Sequence, residues 1–227
     1  MAPFSLAEFA RRLVISEAYM SVSEDRTEAP AVPTTAPASP IADPAPLGLA
    51  AFALTTFLLS AVNAHWTFGN SAGIAFLGYA LAYGGIAQLL AGMWEFRNRN
   101  VFGATAFGTY GAFWIGLWLF FRNSPIVLTH TGHDLGWILL AFAIFNTYMM
   151  IMSTQVSLAV FGVFFFLELT EIFLSIGNFT GGTGALTQIG GYLGIVTAAV
   201  AWYTSAAGIA NGLNGRIRFP VGRPLVH

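Results

Sequence analysis

Two glutamates, Glu168 and Glu171, stand in the middle and outer half of an apolar, phenylalanine-rich run from Val156 to Ile176. An acid at the centre of a membrane span costs roughly 2.5–3.5 kcal/mol on insertion scales, and each apolar residue returns about 0.3–0.6 kcal/mol, so two acids nearly cancel the driving force for insertion. This helix needs its neighbours. Phe164, Glu168, Glu171, Ser175 and Asn178 follow one helical stripe, which is expected to face the interior of a bundle or water. A carboxyl that keeps its proton there can donate a hydrogen bond to a passing solute and can hand the proton on, which makes Glu168 and Glu171 a candidate proton relay. Glu171, nearer the outer end, is expected to be the more water-accessible of the two. A pair hydrogen-bonded between helices is the plainer alternative.

Other polar residues recur on apolar stretches. Phe52, Thr56, Ser60 and Asn63 lie on one face, Gln88 and Glu95 are seven apart, Thr105 and Thr109 share a face, and Asn146 and Thr147 sit inside a fourth stretch. Hydroxyls and amides on several helices, without a cluster of fixed charge, suit a narrow pathway for a small polar or weakly charged solute. Interhelical hydrogen bonding explains any one of them equally well. His130, His133 and Asp134 give three potential ligands on a glycine-containing connection, a weak signal; no metal site and no cofactor is expected. No phosphate-cradling loop and no serine in a nucleophile elbow occurs, which argues against an enzyme.

The elements that hold these residues follow from composition. Only 8% of the 227 residues are charged and 56% are hydrophobic, where a soluble domain carries about a quarter charged residues. All nine basic residues are arginine and there is no cysteine, so nucleic acid is excluded as a partner and disulfides and thiolate metal sites cannot form. Lipid is the expected surroundings. Six stretches reach the roughly 20 residues needed to cross a bilayer: Leu47 to Trp66, Ala72 to Met93, Val101 to Phe121, Leu135 to Ser153, Val156 to Ile176 and Leu186 to Ala207. The fold class is therefore an all-α integral membrane protein with six transmembrane helices. Arg97, Arg99, Arg216, Arg218 and Arg223 fall on one side and Arg122 on the other, which predicts both termini cytoplasmic.

Residues 1–42 read as a cytoplasmic tail, with a proline-rich linker from Ala29 to Pro46 and, before it, Leu6, Phe9, Ala10 and Leu13 at the spacing of a short amphipathic helix. Residues 43–212 form the expected transport domain and 213–227 a basic cytoplasmic tail. Three stripes of small residues, Gly78–Ala82–Gly85–Gly92, Gly108–Ala112–Gly116 and Gly190–Gly194–Ala198, predict faces where helices approach closely, within or between subunits.

The segment Asp43-Pro44-Ala45-Pro46-Leu47-Gly48-Leu49 closely resembles the Asn-Pro-Ala-Pro-Leu-Gly-Leu signature of the acetate uptake transporter family, to which bacterial succinate-acetate permeases and yeast acetate and ammonia transporters belong. Supporting matches are Tyr83 to Gln88 with Ala91, Gly92 and Glu95, then Phe102 to Phe107 followed by Thr109, Tyr110, Gly111 and Trp114, and finally Gly177-Asn178. The resemblance covers Asp43 to the end of the sixth span. It implies a six-helix pathway for small carboxylates in each subunit, in a ring of six subunits. It also implies a hydrophobic constriction from three helices, which motif matching puts on Phe52, Tyr110 and Leu167, with Leu139 distant from it. Thr56, Asn63, Gln88, Thr105, Thr109 and Asn178 are the expected pathway or substrate-binding residues. Two departures stand out: Asp43 replaces asparagine while keeping the capacity to cap a helix ahead of Pro44, and the glutamate pair is not a usual feature of that family. The second leaves open a channel for ammonia, urea or another small neutral or cationic solute.

Overall fold

The computed structural model describes residues 41–66, 72–123, 131–213 and 215–226. The tail before Ile41, with its amphipathic segment around Phe9, lies outside the described residues, as does His130. Among the described residues, six helices are long and apolar enough to cross a membrane. They are α1 (Ala45–Asn63), α2 (residues 72–97), α3 (Val101–Asn123), α4 (Thr131–Ser153), α5 (Leu158–Phe179) and α6 (Ala185–Gly212).

Local chemistry sets the helix ends. Pro44 already has helical dihedrals, and its carbonyl accepts from Gly48 N at 3.2 Å, so Asp43 is the working cap; its Oδ1 accepts from Ala45 N at 2.9 Å. Asn100 Oδ1 accepts from Gly103 N at 3.0 Å at the start of α3, after a tight turn in which Arg99 takes a φ of 60°. Ser157 Oγ accepts from Val160 N at 3.2 Å at the start of α5. Beyond α5 the chain turns through Gly181 and Gly182 at φ 116° and 79°, a left-handed region that side chains rarely adopt.

α2 is not one regular helix. Between its α-helical parts, Ala72–Tyr79 and Gln88–Arg97, the segment Ala80–Ala87 is π-helical. A π segment turns more slowly per residue than an α-helix and so rotates the helical turns beyond it. The stripe expected at α-helical spacing is split as a result: Gly78 and Ala82 are exposed, whereas Gly85 and Gly92 are buried. On α3 the inward small residue is Gly111, against the Leu89 backbone, while Ala112 and Gly116 face outward. The α6 stripe is buried as expected.

The strongest contacts join α1 to α6, α6 to α5, α5 to α4, α3 to α2 and α2 to α1, with α3 and α4 touching more sparsely. The helices thus stand around a common axis in chain order. Small residues allow the closest approaches. A Cβ on Gly191 of α6 would collide with the backbone at Asn63 and Ala64 of α1, and one on Gly92 of α2 would fall 2.6 Å from Gly108 N of α3. Outward positions are apolar, as lipid requires; Ile144 on α4 is 63% exposed and Leu90 on α2 is 53% exposed. The starts of α1, α3 and α5 meet at one end of the bundle, where Asp43 and Leu213 also border a common cleft. From there the C-terminal segment folds back: Ala159 N donates to Val221 O at 2.8 Å, Leu225 N donates to Thr154 O at 2.7 Å, and Tyr203 Oη donates to Pro220 O at 2.6 Å. It is strapped across the α4–α5 turn.

Candidate functional site

Seven-residue spacing organises the axis. On α1, Phe52, Thr56 and Leu59 stand at i, i+4 and i+7, and on α5, Leu167, Glu171 and Leu174 repeat the same interval. Such residues share a helix face over two turns, about 10.5 Å of rise. α3 adds Tyr110 and Trp114, and α4 adds Leu139 and Asn146.

Three cavities succeed one another along this face. The first, about 90 Å³, opens at the end that carries Ala45 and Asn100, and Gln88 lines it. The second, about 40 Å³, is lined by Thr56, Leu139, Trp114 and Glu171 among others. The third, about 380 Å³, holds Asn63 and Asn178. Phe52, Tyr110 and Leu167 are the three residues that line both the first cavity and the second. Counting from Ala45, Val101 and Leu158, they are the eighth, tenth and tenth residues of their helices, so parallel helices hold them within about 3 Å of one depth. All three are buried in one apolar cluster, and the Phe52 ring meets Tyr110 edge-on at a centroid distance of 5.7 Å.

Tyr110, 3% exposed, is further fixed by polar contacts. Its hydroxyl lies 3.0 Å from Asn146 Oδ1 and 3.2 Å from Glu171 Oε1. The orientation of the Asn146 amide is set independently, because Nδ2 donates to Phe164 O at 2.9 Å and to Glu168 Oε2 at 2.7 Å. Asn146 Oδ1 therefore needs a donor, and the single tyrosine proton supplies it. Thr147 Oγ1 lies 2.8 Å from Glu168 Oε1 and 2.9 Å from Ala143 O. One hydrogen-bonded net thus joins α3, α4 and α5.

The two acids differ in the reverse sense to the sequence expectation. Glu171 is 4% exposed and borders the central cavity, whereas Glu168 is half-buried and turns toward exposed Thr147. Three residues rotate a helix by about 300°, and that rotation outweighs the roughly 4.5 Å of extra depth. Leu139 also requires correction: it is not distant from the three-residue boundary but lines the central cavity together with Tyr110 and Leu167.

The remaining residues fall into place less uniformly. Gln88 and Glu95 are both buried and each keeps one oxygen without a partner. Thr105 and Thr109 are half-buried and border none of the three cavities. Within the signature, Ala45 and Leu49 line the first cavity, Pro46 O accepts from Ser205 Oγ at 2.6 Å, and Gly48 leaves room for the Phe107 ring. Leu47 is exposed. Trp114 is a cavity-lining residue that sequence reasoning misses: its buried Nε1, like Thr56 Oγ1 and Glu171 Oε2, has no partner among the described residues. All three residues line the central cavity. Their common signal in the sequence is the i+4 interval from Phe52, Tyr110 and Leu167.

The sequence pattern of the GPR1/FUN34/yaaH family matches residues 26–223. The chain belongs to this family. Its members are transporters and channels, and the chain is accordingly a multi-pass membrane protein. Ammonia transport outward protein 2 of Saccharomyces cerevisiae is 40% identical over 189 residues, 80% of this chain and 66% of that protein. The chain thus spans just under two thirds of that relative's length. The succinate-acetate/proton symporter SatP of Escherichia coli K12 is 34% identical over 184 residues, 80% of this chain and 96% of SatP. A solved structure of the bacterial acetate channel SatP superposes with a TM-score of 0.73 at 34% identity, covering 80% of this chain and 99% of that one.

Proposed function

We propose that the chain is a membrane pathway for acetate and similar small carboxylates, with succinate as a further substrate, and that Phe52, Tyr110 and Leu167 are its constriction. The observation that carries this reading is that these three side chains, from three helices, divide the first cavity from the central one. Apolar groups there strip water from a solute, and hydroxyl, amide and indole donors on either side replace it. Trp114 Nε1 can only donate, so a carboxylate or another solute with lone pairs satisfies it and ammonium does not. The relatives named for succinate, acetate and protons support the same substrate class.

Proton coupling falls to Glu171. An oxygen without a hydrogen-bond partner, buried beside apolar side chains, is tolerated far better on a neutral acid than on a carboxylate. With the Tyr110 proton committed to Asn146, a proton on Glu171 completes the contact to the Tyr110 hydroxyl. Glu168, held at both oxygens by Asn146 and Thr147 and separated from Glu171 by an amide and a phenol, is left out of the relay. The termini are cytoplasmic, as the arginine asymmetry supports, so the first cavity opens inward. Outward-facing Ala112 and Gly116 support a ring of like subunits, a homo-hexamer, surrounded by lipid.

Phe52→Ala, Tyr110→Ala and Leu167→Ala tested in proteoliposomes should each raise butyrate flux relative to acetate. Unchanged ratios in three well-folded variants would refute the constriction.

A further inference from the structure

A second set of residues borders two cavities at once. Leu59, Leu139 and Leu174, from α1, α4 and α5, line both the central cavity and the third one. Leu139 and Leu174 are buried, and Leu59 packs against the second apolar cluster, around Trp114. The pattern of α1 and α5 now reads as a unit: apolar at Phe52 and Leu167, polar four residues later at Thr56 and Glu171, and apolar again three residues on at Leu59 and Leu174. Because α1 and α5 start at the same end of the bundle, these layers coincide in depth.

We propose that Leu59, Leu139 and Leu174 form a second apolar barrier that closes the central cavity into a chamber for one small solute bearing a hydrogen-bond acceptor. An aliphatic ring excludes water by dewetting, as apolar pore constrictions do. The chamber of about 40 Å³ corresponds to roughly three water positions, about the size of a two-carbon carboxylate. Of its unpartnered atoms, Trp114 Nε1 donates and Thr56 Oγ1 donates or accepts with its rotor, so the chamber offers one or two donors; Glu171 Oε2 accepts while the acid's proton is held on Oε1 toward Tyr110. The acceptor assignment rests on the pathway reading above; the barrier itself does not.

Because the chain has no cysteine, single cysteines report on it directly. In sealed proteoliposomes, Thr56→Cys should react with a charged thiol reagent from the Asn63 side at least about tenfold more slowly than Asn63→Cys, the difference expected of a closed apolar ring. Adding Leu139→Ala or Leu174→Ala should restore about tenfold from that side alone, whereas adding Tyr110→Ala should restore it from the other side. Acetate should protect Thr56→Cys in the leucine variants, and ammonium chloride should not. Equal rates for Thr56→Cys and Asn63→Cys, which require no leucine variant, would overturn the barrier; so would unchanged rates in folded leucine variants. Equal protection by acetate and ammonium, or protection by neither, would overturn the acceptor assignment. A failure of acetate flux with the labelling pattern intact would instead count against the pathway reading.

Discussion

Glu168 and Glu171 are the same residue type on one helix, less than one turn apart, yet their surroundings divide the work between them. Glu168 is half-buried and has Asn146 Nδ2 and Thr147 Oγ1 within hydrogen-bonding distance, one at each oxygen. Glu171 has one contact of 3.2 Å, to Tyr110, and a second oxygen with no partner. The supply of hydrogen-bond donors, not position along the helix, therefore decides how completely each carboxyl is satisfied. Glu168 is a structural tie between α4 and α5. Glu171 is the acid that borders the central cavity.

Asn146 holds the two environments apart, so its loss should have the largest effect. Asn146→Leu leaves Phe164 O, one Glu168 oxygen and the Tyr110 hydroxyl without the amide. Three buried or part-buried bonds at about 1 kcal/mol each give roughly 3 kcal/mol of destabilisation. Thermal unfolding in mild detergent measures it, and a variant as stable as the parent would show that the net does not bind the helices together.

The contrast between the acids sharpens in their amides. Glu171→Gln removes the titrating group of the central cavity while its amide can still donate to Tyr110, so the pH dependence of acetate flux should flatten and the fold should persist. Glu168→Gln should leave that dependence within about twofold of the parent, less than one hydrogen bond's worth. The ionisable groups packed near Glu171 are Tyr110 on α3 and Glu168 on its own helix. The opposite ranking, with Glu168→Gln flattened and Glu171→Gln unaffected, would assign the proton to Glu168.

Much of the scaffold was legible because lipid leaves few options: a run of about 20 apolar residues must be a helix. The six spans therefore match the six helices with ends shifted by a few residues. The π-helical part of α2 was not legible, since reading Gly78, Ala82, Gly85 and Gly92 as one stripe assumed regular α-helical periodicity throughout. The boundary trio came from a family resemblance and not from spacing, and Leu139 was misplaced because its helix shows no polar stripe that marks its inward face. Thr105 and Thr109 share a face, as periodicity required, but that face does not reach the three cavities. Periodicity tells which residues lie together; only packing tells toward what.

The most direct measurement is uptake of labelled acetate into proteoliposomes under an imposed pH gradient, acid outside, with ammonium and urea as competitors. Acetate uptake should be saturable, should increase with the gradient, should bring protons with it and should not be competed by ammonium. Flux of ammonium or urea without acetate uptake would contradict this and return the chain to the neutral or cationic class of solutes.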